Sequence, residues 1–166
     1  MASATIERAV EELLAQAEAS LPPPRPPRAT AALDSHWVPA VLSIGGALAE
    51  ADQVVLEQRG CLIEVAPDLA AGLAALMARR WDIVAVHPTI DADADGLRFV
   101  RALKCRPAEA FSVGLGAVVR KVAAVPFVIL PLAGSTEAAV FRSATDWGLA
   151  EVGSGGVAKL LLEGAR

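Results

Sequence analysis

The stretch Arg80-Trp81-Asp82-Ile83-Val84-Ala85-Val86-His87 constrains the fold of this chain more than any other. An apolar run of strand length with a polar residue at each end reads as a parallel strand buried on both faces. A helix pattern ends just before it, and a loop and a second helix pattern follow. In an open parallel sheet the chemistry gathers beyond the carboxyl ends of the strands. His87 stands at that end, so it and the loops beside it are the first place to look for a site.

The same grammar repeats along the chain. Strands are predicted over 38–44, 61–65, 82–86, 126–130 and 149–152. Between them lie helical stripes: Leu48, Ala51 and Val55; then Leu69, Leu73, Leu76 and Met77 behind an Asp68 cap; then Leu97, Val100 and Leu103. Residues 135–147 read as a further helix, capped by Ser135, with Val140, Ala144 and Trp147 aligned and Gly148 ending it. Gly153-Ser154-Gly155-Gly156 turns into a last helix carrying Val157, Leu160 and Leu161. Strands alternating with helices of this length predict an α/β fold: a doubly wound, five-stranded parallel sheet with right-handed crossovers.

Three segments follow from the punctuation. Residues 1–20 predict an amphipathic helix with Ile6, Val10, Leu13 and Leu14 on one face. Residues 21–35 are a proline-rich linker, extended in the polyproline manner. Residues 36–166 form the main domain. Within it, Phe111, Leu115, Val118, Val119 and Val122 mark an extra helix, an insert over 107–124. The net charge of -4, with acids and bases interspersed, argues against nucleic acid as a partner. No apolar run reaches the ~20 residues that span a bilayer, so a soluble, cytoplasmic chain is expected. Cys61 and Cys105 make neither a zinc site nor a CxxC pair, and they are expected to be reduced.

Residues from about 38 to 166 resemble the receiver domain of bacterial response regulators. The resemblance rests on the Gly60 turn, Trp81 to His87, Asp95-Gly96, Val125-Pro126-Phe127-Val128-Ile129-Leu130 and Gly148. It implies a flavodoxin-like sheet of order 2-1-3-4-5. It also implies where the phosphorylation chemistry would reside, and this sequence departs from the family at each place. The phospho-accepting aspartate falls at His87. The acidic pair that holds magnesium falls at Gly45-Gly46, or at Ser43-Ile44 if the first helix carries no deletion. The switch Ser/Thr falls at Pro131, and the lysine after strand five falls at Gly153 to Gly155. Phosphoryl transfer needs a nucleophile and a cation to offset the charge on the transferred group. The expectation is therefore a pseudo-receiver without catalytic residues.

Other constellations are weaker. His87 as a base or nucleophile has no second histidine or cysteine beside it; His36 precedes the first strand. Asp91-Ala92-Asp93-Ala94-Asp95-Gly96 matches the start of a calcium loop, but Ala102 stands where the bidentate glutamate belongs. It reads instead as an acidic loop in which Asp95 caps the next helix. Asp34-Ser35-His36 begins like a cobalamin-binding motif, but Pro39 replaces the glycine. Neither metal nor cofactor is expected.

These readings predict a non-catalytic module acting through protein–protein contact, with self-association as one form. An alternative uses Gly45-Gly46 and Gly153 to Gly156 as a cradle for a small anion or nucleotide. The candidate interface residues are the stripe Phe111, Leu115, Val118, Val119 and Val122 of an insert partly surplus to the fold, the pair Trp147 and Leu149, and the N-terminal face Ile6, Val10, Leu13 and Leu14.

Overall fold

The apolar segments pair edge to edge much as their pattern requires. The computed structural model describes residues 39–91, 94–132, 134–153 and 156–164. The N-terminal helix with Ile6, Val10, Leu13 and Leu14, and the proline-rich linker, lie outside the described residues. Strands β1 (Ala40–Ile44), β2 (Leu62–Ala66), β3 (Ile83–Val86) and β6 (Phe127–Ile129) run parallel in the order β2-β1-β3-β6. Every residue of β1, β3 and β6 is buried. That is the condition of a strand covered on both faces, and the reason these segments are near-continuous apolar runs.

Helices cover the two faces unequally. On one face lie α2 (Leu69–Ala78), α3 (Gly96–Cys105) and α4 (Val113–Val122), packed against Leu42, Ile44, Val84, Val86 and Phe127. On the other lie α1 (Glu50–Gln58) and α5 (Gly156–Gly164), with Leu56 and Leu161 against Val41, Ile83 and Val128. The predicted caps form: Asp68 accepts from the Ala71 N–H at 2.7 Å, and Asp95 from the Leu97 N–H at 2.8 Å. Trp81 Nε1 donates to the Ala75 carbonyl at 2.9 Å, which holds the end of α2 to the start of β3.

The sheet departs from five parallel strands. It has six among the described residues, and it is mixed: β7 (Glu137–Phe141) pairs antiparallel with β6, and β8 (Trp147–Glu151) antiparallel with β7. Residues 135–147, expected as a helix, are a strand and a turn. The helical spacing of Val140, Ala144 and Trp147 competes with a turn signal, Ser143-Ala144-Thr145-Asp146, and the turn wins. Ser143 Oγ accepts from the Asp146 N–H at 3.0 Å, and the Arg142 N–H donates to the Asp146 carbonyl at 2.9 Å. Gly148 lies within β8 and ends no helix. The loop after His87 is a small ribbon of β4 (Thr89–Asp91) and β5 (Ala94–Asp95).

The insert is not surplus. It forms a 3-10 turn (Ala108–Ala110) followed by α4, and Leu115, Val118, Val119 and Val122 are all buried in the chain's own core, with Phe111 packed beside them. Burying four such side chains contributes on the order of 6–12 kcal/mol before ordering costs. The sheet face near the α2 side needs this helix because no helix lies between β6 and β8 among the described residues.

Lys104 of α3 fixes the insert in place. It is 7% exposed, and its ammonium donates to the carbonyls of Val122 at 2.8 Å, Ala123 at 3.1 Å and Val125, while lying 5.1 Å from the Phe127 ring centre. Those carbonyls lie at and just beyond the α4 C-terminus, and that of Val122 also accepts from the Val125 N–H at 3.0 Å. Lys104→Met is expected to lower stability by about 2–4 kcal/mol in denaturant unfolding, because the carbonyls lose their buried donor. Burial also lowers the Lys104 pKa from 10.5 to about 8. Between those values the unfolded chain binds more protons than the folded one, so rising pH favours folding. The stability advantage of wild type over Lys104→Met should thus widen from pH 8 to 10.5, and be smallest and constant below pH 8, where both states hold the proton.

Candidate functional site at the carboxyl edge of the sheet

The turn after β1 and the turn after β3 meet at this edge because β1 and β3 are neighbours in register, with Ile44 opposite Val86. The His87 N–H donates to the Ile44 carbonyl at 2.9 Å. This places the imidazole directly over Gly45 and Gly46. Both glycines have positive φ (96° and 154°). A Cβ at Gly45 would lie 3.0 Å from the His87 Cβ, and one at Gly46 would lie 3.4 Å from His87 Nε2. Positive φ favours glycine at both positions, and at Gly45 the His87 Cβ and the Ile90 backbone leave no room for a side chain.

The ring's own bonding is satisfied locally. His87 Nε2 lies 3.1 Å from the Ala47 carbonyl oxygen, the contact made by an Nε2–H tautomer. Ser43 Oγ donates to the Gly46 carbonyl at 2.6 Å. The ribbon of β4 and β5 closes the remaining side, with buried Ile90 against Gly45. Gly96 completes the enclosure: a Cβ there would sit 2.1 Å from the His87 carbonyl oxygen, so only glycine permits α3 to start so close. This edge thus carries a histidine packed on two glycines.

The second glycine turn is also occupied. Asp52 of α1 reaches across to α5, where its Oδ1 accepts from the Ala158 N–H at 3.0 Å. A Cβ at Gly156 would meet the same oxygen at 2.5 Å. The carboxylate takes the place that a bound anion would take at a helix N-terminus. At the two turns named for an anion cradle, the Gly45 N–H thus donates to the Ala66 carbonyl at 2.8 Å and Asp52 stands beside Gly156. Nothing in the sequence near Asp52 signals this role, since its partner lies 106 positions away.

Of the five predicted positions, the structure brings together His87, Gly45 and Gly46, with Pro131 just past β6 at the neighbouring strand end. Gly153 is placed elsewhere. β7 stands between β6 and β8, so Gly153 follows the edge strand, three strands from β3. At ~4.8 Å per strand it is about 14 Å along the sheet. The acidic loop supplies Asp95 as a helix cap, and no cluster of three His, Cys, Asp or Glu side chains with metal-ligand geometry occurs among the described residues. Cys61 is buried, which pushes its thiol pKa up; Cys105 is exposed at the end of α3.

Two expectations follow. Incubation with acetyl phosphate and magnesium should leave the intact mass unchanged, because His87 rather than a carboxylate follows β3 and the Asp52 and Asp95 carboxylates at this edge are each engaged by a helix N–H; a single phosphoryl adduct in high yield would contradict the geometry. Gly96→Ala should lower stability by more than about 2 kcal/mol, read by thermal or denaturant unfolding, because the added methyl group runs into backbone.

Comparison of the chain with family models, with curated proteins and with solved structures returns no match.

Proposed function

We propose that this chain is a degenerate, receiver-like domain that does no catalysis and works in the cytoplasm through protein–protein contact, as a regulatory or assembly module. The parallel order β2-β1-β3-β6 is compatible with a flavodoxin-like ancestry. The packing of His87 on Gly45-Gly46 supports a lost phosphorylation site.

One observation carries the contact reading: the exposed apolar face of the β7–β8 hairpin. Trp147 is 49% and Leu149 65% exposed, with Leu132 exposed in the loop that leads into the hairpin. Leu149 pairs with Ala139 and Trp147 with Phe141, so both project to the face that carries α2, α3 and α4. Trp147 stacks on Phe141 at 5.3 Å, and the Arg101 guanidinium sits 5.8 Å from its ring. A tryptophan held by stacking and flanked by arginine is the kind of anchor around which interfaces concentrate binding energy. Among the described residues β8 is also an edge strand of the sheet. A second copy of this chain or another protein could add to it.

The test is Trp147→Ser with Leu149→Asp. Both side chains are at the surface, so the far-UV circular dichroism and the unfolding midpoint should hold while self-association, measured by light scattering, or partner capture falls at least tenfold. Unchanged assembly would sink the reading. Leu115→Asp should behave oppositely and unfold the domain, since it buries an unpaired carboxylate in the core.

A further inference from the structure

The edge opposite His87 holds a basic groove. α2 and α4 run against the strands, so their C-termini meet at the amino ends of β3 and β6. Between them lies a cavity of about 480 Å³ lined by Leu76, Arg79, Arg80, Trp81, Asp82, Arg120, Lys121, Val122, Ala124 and Val125. Four cations face one carboxylate. That carboxylate is already engaged: Asp82 Oδ2 accepts from the Ala40 N–H at 2.7 Å. In a chain of net charge -4 this is a local inversion of sign.

Helix ends attract cations, and this accounts for part of the cluster. Lys121 Nζ donates to the Met77 carbonyl at 3.2 Å, near the end of α2, and Arg79 lies 4.8 Å from the Trp81 ring centre. It does not account for the other two. Arg80 has no hydrogen-bond or ion-pair partner among the described residues. Arg120 has only Glu109 at 3.7 Å, a solvent-exposed pair of little strength. Lys121 records the imbalance, since burial and the neighbouring Arg80 both lower its pKa.

We propose that this groove binds a polyvalent phosphate anion of diphosphate size, free or carried by a nucleoside. The volume falls within the range of small-molecule sites, about 300–1,000 Å³. Three of the four cations are arginines, whose planar forks match phosphate oxygens in pairs. Arg79 and Lys121 are held by the ring and the carbonyl, while Arg80 and Arg120 supply the unspent donors. A monovalent carboxylate would leave most of the charge unanswered; a diphosphate answers it. The site stands independently of the contact surface on β8, and a failure of either leaves the other intact.

Calorimetry and thermal shift with the full chain at ~50 mM salt test it, with inorganic pyrophosphate, adenosine diphosphate and adenosine as probes. Pyrophosphate is expected to bind and raise the melting temperature by a few degrees, and adenosine to do neither. Equal affinity for the diphosphate nucleotide assigns recognition to the phosphates alone; tighter binding adds a base contact within the same site. Arg80→Glu with Arg120→Glu, both at the surface, should keep the circular dichroism and weaken pyrophosphate at least tenfold, whereas Lys159→Glu on α5 should leave it unchanged. Absence of binding by wild type at 1 mM pyrophosphate overturns the proposal. So does binding that survives the double variant, or that falls equally with Lys159→Glu.

Discussion

A single buried ammonium ties this fold together. Lys104 leaves α3, passes over the Phe127 ring and ends among the carbonyls that close α4, with the Arg142 carbonyl 3.4 Å away at the start of the hairpin turn. One side chain thus joins α3, α4, β6 and β7. Taking an ammonium out of water is costly unless its protons are all engaged. Here the carbonyls at and just beyond the end of α4 supply the acceptors, and removing the ammonium would take a buried donor from each of them.

The positions of α4 and the hairpin then follow. With α4 drawn onto the face shared with α2 and α3, the chain re-enters the sheet at β6 and turns straight back as β7 instead of crossing over with a helix. This leaves the β8 end of that face bare, which is why Trp147 and Leu149 stand exposed. It also brings the C-termini of α2 and α4 together at the amino edge, where Arg79, Arg80, Arg120 and Lys121 converge. The exposed apolar face and the basic groove are both consequences of where α4 packs.

The carboxyl edge has the opposite character. In an open parallel sheet it is the usual place for ligands, but here it is closed by short-range fits: the His87 ring on Gly45 and Gly46, the α3 start against the His87 carbonyl, and the Asp52 carboxylate at the α5 N-terminus.

Local chemistry alone determined the four parallel strands, the Asp68 and Asp95 caps and the glycine turn at Gly45-Gly46. Each depends on neighbours in sequence: an apolar run of three to five residues, a carboxylate immediately before a helix, a residue free to take positive φ. Two readings failed where local patterns were ambiguous. Residues 137–147 satisfy helical spacing and strand alternation alike, and pairing with β6 decided between them. The stripe on α4 announced that it would be buried but not against what; the missing crossover helix made room for it within the chain. Lys104 and Asp52 look like ordinary surface charges in sequence, and only tertiary structure gave them partners 18 to 21 and 106 positions away. The basic groove has the same origin. Its two halves, 79–82 and 120–125, are unremarkable separately, and their charge becomes a feature only when two helix ends are packed side by side.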